Sequence, residues 1–420
     1  MRGMKETKFK NTEIGRIPED WEIGYFGDVL CTFSAGATPY RGIPDYYNGK
    51  INWISSGELN YNVIYDTIEH ISEEALRNTN LCLHAPGTFL MAITGLEATG
   101  TRGKCAFVGV PSATNQSCLA INGTNKMDIK YLYWYYRMYG NYLAFKYSQG
   151  TKQQSFTATI VKNLPITYPK QVIEQHRIAS ALTSIDNLIS SLGKLIEKKK
   201  NIKQGAMQQL LTGKIRLKEF NEPWVKRKLG DNATIQRGGS PRPIEAYLTT
   251  NRDGINWIKI GDVRPNDKFI RHTVEKIIPE GISHSRQVYK GDFILSNSMS
   301  FGRPYILDID GCIHDGWLVI KDYSNTYDMD FLYYILSSDT VFEQYIAMAA
   351  GSSVMNLNKE KVANVMLFAP QSLAEQRAIA TILNKMDNEI TALETKKAKY
   401  EAIKQGMMQQ LLTGKIRLIS

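Results

Sequence analysis

The sequence predicts an α+β fold in which two mixed α/β domains are separated by two long helices that pack as an antiparallel coiled coil, with an internal pseudo-two-fold. Three observations predict it. The chain repeats itself once, at a spacing of about 200 residues, which is too long for a solenoid. One part of each repeat has the apolar periodicity of a helix, and the other consists of short β-rich runs broken by glycine.

The strongest part of the repeat is a pair of constant segments, 174–217 and 375–418, which align without a gap. They are identical at 25 of 44 positions, and Lys203–Leu217 differs from Lys404–Leu418 at a single position. This similarity indicates the duplication of a whole module. The chain therefore follows the order variable, constant, variable, constant.

Each constant segment has the pattern of one helix of about 40 residues, or roughly 60 Å at 1.5 Å per residue. Apolar residues recur in steps of four and three, which forms a narrow seam. The seam residues are Ile178, Leu182, Ile185, Ile189, Leu192 and Ile196 in the first segment, and Ile379, Leu383, Met386, Ile390 and Leu393 in the second. Gly213 and Gly414 are the predicted stop signals.

The predicted partner of each seam is the other seam, packed antiparallel within the chain. The alternative is two separate contacts between copies of the chain, but duplication within one chain favours internal closure. Both seams become cationic or polar further along, at Lys199 and Lys203 and at Lys397 and Lys404. We expect that half of each helix to be solvated or to face another subunit. The cluster Lys198, Lys199, Lys200 and Lys203 is expected to be a solvated face, or a surface for contact with a subunit or with phosphate.

The variable segments, of about 150 residues each, correspond only at landmarks such as the shared Ile-Asn-Trp-Ile of Ile51–Ile54 and Ile255–Ile258. Each is predicted to contain short strands followed by one helix. The predicted strands include Ile51–Ile54, Thr88–Ile93, Cys105–Val110, Phe293–Ser296 and Tyr305–Ile309, and the predicted helices are Tyr131–Tyr142 and Phe331–Ala347. We expect the helices' aromatic residues to pack in the core rather than to stack on bases.

Composition restricts the function classes. A formal net charge of +10 and a pI near 9.1 favour a polyanionic partner, nucleic acid before membrane. No apolar run reaches the ~18–20 residues of a membrane span, and no apolar stretch follows the basic start, so we expect a cytoplasmic protein. The five cysteines are scattered without a CxxC pair, so neither disulfides nor structural zinc are expected.

No catalytic constellation stands out. The sequence has no S-adenosylmethionine-type glycine loop, no Asn/Asp-Pro-Pro-aromatic methyltransferase motif, no convincing nuclease triplet and no HExxH. The run Thr212–Ile215 fails as a phosphate-binding loop, because Gly205 lies at the wrong spacing and Ile215 replaces the required hydroxyl residue. The six histidines have no metal-ligand spacing. We therefore predict a chain that is non-catalytic by itself.

Loops rich in glycine, hydroxyl residues, amides and arginine recur in both variable segments. Such residues approach phosphates closely and reach base edges, although each loop taken singly also fits an ordinary turn. The candidate DNA-binding residues are Thr38, Tyr40, Arg41, Thr94, Arg102, Lys104, Thr151, Lys152, Gln153 and Gln154 in the first segment, and Arg237, Ser240, Arg242, Asn297, Ser298, Arg303 and Ser352 in the second. Because arginine pairs with guanine and amides pair with adenine, the leading candidates for base contacts are Arg41, Arg102, Gln153, Arg242, Asn297 and Arg303.

With these motifs the sequence resembles the specificity subunits of type I restriction-modification systems, over essentially the whole chain. The resemblance rests on the loop Gly36–Pro39 with the following Tyr47–Ile54, on the proline that precedes Glu174-Gln175, and on Gln208–Gly213, with their second copies. The second copy departs in two places: Gly239–Pro243 replaces the first loop, and the Tyr-Asn-Gly-Lys lead-in to Ile-Asn-Trp-Ile is missing.

The resemblance implies target-recognition domains at 1–168 and 218–369, a central spacer helix at 169–217 and a distal spacer helix at 370–420. Each domain is then expected to read one half of a bipartite, asymmetric double-stranded DNA target, while the helices set the spacer and dock modification subunits. The implied partners are two modification subunits, which methylate adenine N6 with S-adenosylmethionine, and two restriction subunits, which use ATP and Mg²⁺. No cofactor is expected in this chain.

Two other function classes compete with this interpretation. A self-contained methyltransferase or nuclease needs a catalytic domain, for which almost no sequence is left over. A non-catalytic helical scaffold that binds only protein does not account for two different loop-rich domains or for the basic pI. Sequence-specific DNA binding within a larger complex remains the favoured function.

Overall fold

The computed structural model describes residues 8–12, 15–264, 267–297, 301–349 and 357–419. The chain divides into two compact units: unit 1 consists of Met1–Leu192 with Lys396–Ser420, and unit 2 consists of Gly193–Thr395. Each unit therefore combines one variable segment with the beginning of one constant helix and the end of the other.

Unit 1 is a mixed α/β unit, as predicted. Its strands are β1 (Phe9–Thr12), β2 (Gly15–Pro18), β3 (Trp21–Tyr25), β4 (Cys31–Ala35), β5 (Ile51–Ile54), β6 (Val63–Ile64), β7 (His70–Ile71), β8 (Phe89–Ala92), β9 (Cys105–Val108), β10 (Ser112–Thr114), β11 (Cys118–Asn122) and β12 (Pro165–Pro169). Its helices are α1 (Phe26–Val29), α2 (Glu73–Asn78), α3 (Ile129–Tyr147), α4 (Ala158–Lys162) and the first part of α5 (Val172–Leu210).

Unit 2 repeats this plan. Its strands are β13 (Val225–Lys228), β14 (Thr234–Arg237), β15 (Leu248–Thr249), β16 (Ile255–Ile258), β17 (Phe269–Ile270), β18 (Glu275–Ile277), β19 (Arg286–Val288), β20 (Phe293–Ser296), β21 (Pro304–Leu307), β22 (Gly311–Ile313), β23 (Trp317–Lys321) and β24 (Met366–Ala369). The helices are α6 (Met329–Leu336), α7 (Asp339–Ala349), α8 (Lys359–Ala363) and α9 (Leu373–Leu411), whose last part belongs to unit 1.

Among the described residues, the main sheet of each unit has five strands in an equivalent order, β4-β11-β8-β9-β6 in unit 1 and β14-β23-β20-β21-β17 in unit 2. In both sheets the last pair is parallel and the other pairs are antiparallel. A second sheet has the order β10-β5-β7 in unit 1 and β15-β18-β16-β22-β19 in unit 2. The shared Ile-Asn-Trp-Ile sequence forms the equivalent strands β5 and β16.

The constant helices complete the core of each unit. In unit 1, Ile178 and Leu182 from α5 and Leu412, which follows α9, belong to the same buried cluster as the main sheet. In unit 2, Ile379 and Leu383 from α9 and Leu211, which follows α5, do the same. Gly213 and Gly414 have φ values of +69° and +68°, the left-handed conformation expected of helix stop signals.

Lys199, Lys203 and Lys404 pair with carboxylates on the opposing helix, so the prediction that they are solvated was wrong for these three lysines. In unit 2, Lys203 donates to Asp387 at 2.5 Å and Lys199 lies 2.7 Å from Glu389. The equivalent pair in unit 1 joins Lys404, only 11% exposed, to Asp186 at 2.7 Å. In unit 2, Lys200 pairs with Glu394 and Lys203 pairs with Asp387, so the two helix segments of this unit run antiparallel. Each lysine offsets a carboxylate on the opposing helix.

Glu-Gln and Thr-Gly-Lys-Ile-Arg recur in both constant segments because the glutamate of the first motif and the arginine of the second form a buried ion pair in each unit. In unit 1, Arg417 donates from Nε and Nη2 to the carboxylate of Glu174, at 2.7 and 2.8 Å. In unit 2, Arg216 binds Glu375 in the same bidentate manner, at 2.7 and 2.9 Å. Each pair joins the start of one long helix to the segment that follows the other helix. The buried glutamate needs this partner because it is almost inaccessible to water.

The glutamine of each Glu-Gln pair connects its helix to the variable segment. In unit 1, the Gln175 side chain accepts a hydrogen bond from the backbone of Asp128 at 2.8 Å and donates to the carbonyls of Lys126 and Pro169. In unit 2, Gln376 makes the equivalent contacts, including 2.8 Å from Asp328 N. Asp128 and Asp328 are N-caps of α3 and α6, so the glutamines fix where those helices begin.

The helix predicted at Phe331–Ala347 is two helices, α6 and α7, which is a second correction. The break falls at Ser337 and Ser338, whose hydroxyls donate to the carbonyls of Tyr333 and Ile335, at 2.7 Å each. Ser338 Oγ also accepts from Val341 N at the start of α7. Serine side chains compete with the helical backbone in this way and favour a new start. The unit 1 counterpart, α3, is continuous and buries Tyr131, as predicted for core aromatics.

Among the described residues, no helix combines the length and the apolar character that crossing a bilayer requires.

Candidate nucleic-acid interface

The candidate residues of unit 1 lie in loops at one end of the main sheet. Antiparallel pairing places the ends of β4 and β8 beside the starts of β9 and β11, as the register shows for Ala35 with Leu119 and for Met91 with Cys105. We call this place the loop end of unit 1. The candidates at the loop end are Thr38, Tyr40 and Arg41 after β4, Thr94 after β8, and Arg102 and Lys104 before β9.

The loop that carries the remaining candidates of unit 1 reaches the same place. Ser155 forms an isolated antiparallel bridge with Thr94, and Gln154 O accepts from Leu96 N at 3.0 Å. Thr151, Lys152 and Gln153, in the same loop, are exposed. Three loops therefore converge, and the exposed side chains among them are available to an external ligand.

Arg41 is the most constrained exposed cation of the loop end. Its guanidinium lies 4.2 Å from the ring centroid of Tyr47 and donates to both carboxylate oxygens of Glu69, at 2.5 and 2.8 Å. The hydrogen bond from Arg41 is the main cause of a lowered pKa of Glu69. This arrangement pre-orients a planar donor, although a bidentate contact to guanine requires Arg41 to give up part of its contact with Glu69.

Other candidates of unit 1 have local partners. Arg102 donates from Nε to Leu96 O and from Nη2 to Glu97 O, both at 2.6 Å, so the structure gives it a loop-closing role. Lys104 donates to Asn60 Oδ1 at 2.9 Å and lies over the ring of Tyr61. Tyr40, in contrast, is 72% exposed.

Unit 2 has the equivalent loop end, where β14 and β20 end and β21 and β23 begin. The register pairs Arg237 with Leu318 and Leu295 with Pro304. The candidates at this loop end are Arg237 at the end of β14, Ser240 and Arg242 after β14, Asn297 after β20, and Arg303 before β21. Ser298 and Ser352 lie outside the described residues.

Asp315, in the loop before β23, organises the unit 2 loops. Its carboxylate accepts from Ser240 Oγ at 3.0 Å and lies 3.5 Å from Arg242 Nη2, while its carbonyl accepts from Arg237 Nε at 3.2 Å. Asn297 is buried and also donates to this carbonyl, at 3.0 Å, so it supports the loop from within. The Arg242 side chain is 84% exposed, which leaves its guanidinium free to turn toward a ligand.

The loop before β11 or β23 holds functional candidates that were not predicted from the sequence. Gln116 in unit 1 contacts Thr38 through its side chain, and His314 and Asp315 occupy the corresponding loop of unit 2. His314, Asp315 and Arg242 border a cavity of about 470 Å³. Burial lowers the pKa of His314, which favours its neutral form. These residues directly precede the equivalent strands β11 and β23, which is the signal that could have identified them.

No group of three or more His, Cys, Asp or Glu residues with metal-binding geometry occurs in the described part of the chain. The two loop ends instead present arginines, amides, hydroxyls and a few carboxylates, among them Glu97 and Asp315. These groups suit hydrogen bonding to phosphates and base edges, with Asp315 able to accept from cytosine N4.

The fold defines a class of protein with two mixed α/β units of equivalent topology in one chain. The family model described as "Type I restriction modification DNA specificity domain" matches residues 18–204 and 221–405. The chain belongs to this family, with two copies of its domain.

Known proteins of the family are similar over nearly the full length. The type I restriction enzyme MjaVIII specificity subunit of Methanocaldococcus jannaschii is 26% identical and covers 100% of this chain and 98% of its own. The crystal structure of a type I restriction-modification system S subunit from M. genitalium matches 97% of this chain and 99% of its own, with a TM-score of 0.60 and 16% identity. A structure concerned with complex assembly and conformational transition of the type I R-M system matches 95% of this chain and 99% of its own, with a TM-score of 0.59 and 16% identity.

Proposed function

We propose that each unit reads one half of a bipartite, asymmetric double-stranded DNA target through its loop end. The observation that carries this proposal is the equivalent convergence of candidate loops in both units, although the loop sequences differ. In unit 1 the loops present Arg41, Tyr40 and Gln153, and in unit 2 they present Arg242, Ser240 and Asp315. Different side chains on the same framework would read different half-sites.

The two long helices are proposed to set the spacer between the half-sites. Each has 39 residues, or about 58 Å at 1.5 Å per residue. Their sequences stayed alike where the loops diverged, as a ruler independent of the bases requires.

We further propose that the chain has no catalytic role and docks two modification subunits along its constant helices. Methylation of adenine N6 with S-adenosylmethionine would then occur on the modification subunits, and two restriction subunits would supply Mg²⁺- and ATP-dependent translocation and cleavage. The loop ends support this division of labour because they contain groups for binding and positioning, whereas adenine methylation needs a dedicated S-adenosylmethionine site.

The experiment is single-molecule methylation sequencing of DNA from cells that express this chain with a type I modification subunit. The control is the same cells without the chain. A new split motif with methylated adenine, present only with the chain, is expected. A stable complex that produces no such motif would instead favour the scaffold function.

A further inference from the structure

Two apolar side chains, one in each unit, project into the solvent at equivalent positions of the fold. Ile68 is 87% exposed and Val274 is 83% exposed, the two largest exposed fractions among the large hydrophobic residues in the described part of the chain. Ile68 precedes β7 by two residues and Val274 directly precedes β18. Single exposed apolar residues are common on proteins, but here the exposure recurs in both units.

The backbone at both positions is held by the same arrangement, in which one carboxylate accepts hydrogen bonds from two backbone N–H groups. Ile68 N donates to a carboxylate oxygen of Glu58 at 2.9 Å, and the other oxygen of that carboxylate accepts from Ser55 N at 2.8 Å. Val274 N donates to Asp262 at 3.1 Å, and Asp262 accepts from Lys259 N at 2.8 Å. Each side chain therefore projects from a backbone position that is fixed by hydrogen bonds. We call Ile68 and Val274 the apolar tips of the two units.

The preceding threonine adds a second shared anchor. Thr67 Oγ1 donates to Glu69 O at 2.7 Å, and Thr273 Oγ1 donates to Glu275 O at 2.9 Å. The connection that leads to each tip differs in length, with ten residues from Glu58 to Ile68 and twelve from Asp262 to Val274. The same tip has therefore been kept across a divergent loop.

Both tips adjoin the candidate DNA-reading loops. Glu69, next to Ile68, binds Arg41 in the first loop of unit 1. Glu275, next to Val274, borders the same cavity as Arg242 in unit 2. A ligand held by Arg41 or Arg242 would thus come within reach of the neighbouring apolar tip.

We propose that Ile68 and Val274 are apolar wedges that enter a groove of the DNA beside each half-site and bind it without base preference. This inference rests on the proposed function. The loops that would read bases differ between the units, so a feature kept in both suits a part of the ligand that both half-sites share. The step between two stacked base pairs is such a part, and minor-groove-binding proteins insert apolar side chains such as isoleucine there.

The test uses the chain assembled with its modification subunits and a DNA duplex that carries the methylated motif identified in the cells. Ile68→Ser and Val274→Ser are each expected to weaken binding about tenfold, while the methylated motif stays the same. Ile68→Val, which keeps an aliphatic tip, is expected to bind within about twofold of the unaltered chain. Ile23→Ser is the matched control, since it removes the same residue type from β3, which carries no loop-end residue.

Three results would overturn the proposal: unchanged DNA affinity in both serine variants, a changed motif, or serine variants that no longer assemble with the modification subunits. The last result would assign the tips to a protein interface. Thermal unfolding of each variant separates a folding defect from a lost contact, and Ile68→Val tests the contact in a chain whose core is unaltered. If the unaltered complex gives no split motif at all, the proposed function fails, which is a different result from normal affinity in the serine variants.

Discussion

Glu174 and Arg417 lie 243 positions apart in the sequence and form a bidentate ion pair in unit 1. The side chain of Glu174 is 2% exposed and that of Arg417 is 10% exposed. Arg417 also binds Asp20 through Nη1 and Nη2, at 2.6 and 2.7 Å, so one guanidinium joins the first strands, the start of α5 and the segment after α9.

Replacing Arg417 with methionine is expected to destabilise unit 1 by about 3 kcal/mol, because the buried carboxylate of Glu174 loses its partner. Hydrogen exchange, resolved by peptide, should show reduced protection in unit 1 and unchanged protection in unit 2. Lys415→Met is the control, since Lys415 is exposed on the same segment. Equal effects of the two substitutions would contradict a specific role for the pair.

Asp186 gives a pH-dependent prediction. Burial alone would raise its pKa, but hydrogen bonds from Lys404 and Arg137 outweigh burial and lower the pKa below the ordinary 3.8. The unaltered chain should therefore be more stable than Asp186→Asn at pH 7, by about 2 kcal/mol. The difference should persist down to about pH 5 and disappear as the pH falls through the lowered pKa, because protonated Asp186 then resembles asparagine.

Urea unfolding of both proteins between pH 7 and pH 3 measures this difference. Asp253→Asn, at an exposed position, is the control and should leave the unfolding midpoint unchanged. If the difference in the free energy of unfolding between the unaltered chain and Asp186→Asn increased on acidification, the carboxylate would not act through its charged form.

Arg242→Ala is expected to relax base recognition in one half-site only, by about 1–3 kcal/mol of discrimination. The exposed guanidinium of Arg242 is poised at the loop end of unit 2, and unit 1 does not depend on it. Methylation mapping measures both half-sites at once. Arg252→Ala, in another loop of unit 2, is the matched control, and equal loss at both half-sites would indicate a folding or backbone role for Arg242.

Insertion of one helical turn, four residues, into both α5 and α9 is expected to lengthen the tolerated spacer by one or two base pairs, since a turn adds about 6 Å. Methylation mapping of the altered chain gives the new spacer directly. A turn inserted into α5 alone is the control, because it would shift Lys203 out of register with Asp387 and impair folding. An unchanged spacer after the double insertion would argue against the ruler.

Much of the fold could be predicted because it is encoded locally. The seam periodicity and the stop signals Gly213 and Gly414 located α5 and α9, and the predicted strand Ile51–Ile54 coincides with β5. The convergence of Arg41, Thr94 and Lys104 could not be predicted, because it depends on which strands are neighbours in the sheet.

Other features depend on partners that are distant in the sequence. Lys203 and Lys404 were expected to be solvated or to face another subunit, because their acidic partners lie on the opposite helix, 184 and 218 positions away. The break at Ser337-Ser338 was hidden because the apolar residues of α6 and α7 continue with helical spacing across it. The role of Asp315 could not be predicted from the sequence, where it is a single acidic residue. Only the folded loops bring Ser240 and Arg242 into contact with it.

The division of the long helices between the units has a consequence for synthesis on the ribosome. Leu411 and Leu412, which belong to the buried cluster of unit 1, are translated after all of unit 2. The first part of unit 1, which ends at Leu192, therefore keeps part of its apolar surface uncovered until residues 193–412, about 220 more, have been made. At 5–20 residues per second this delay lasts roughly 10–45 s, during which the nascent domain is open to chaperones and proteases.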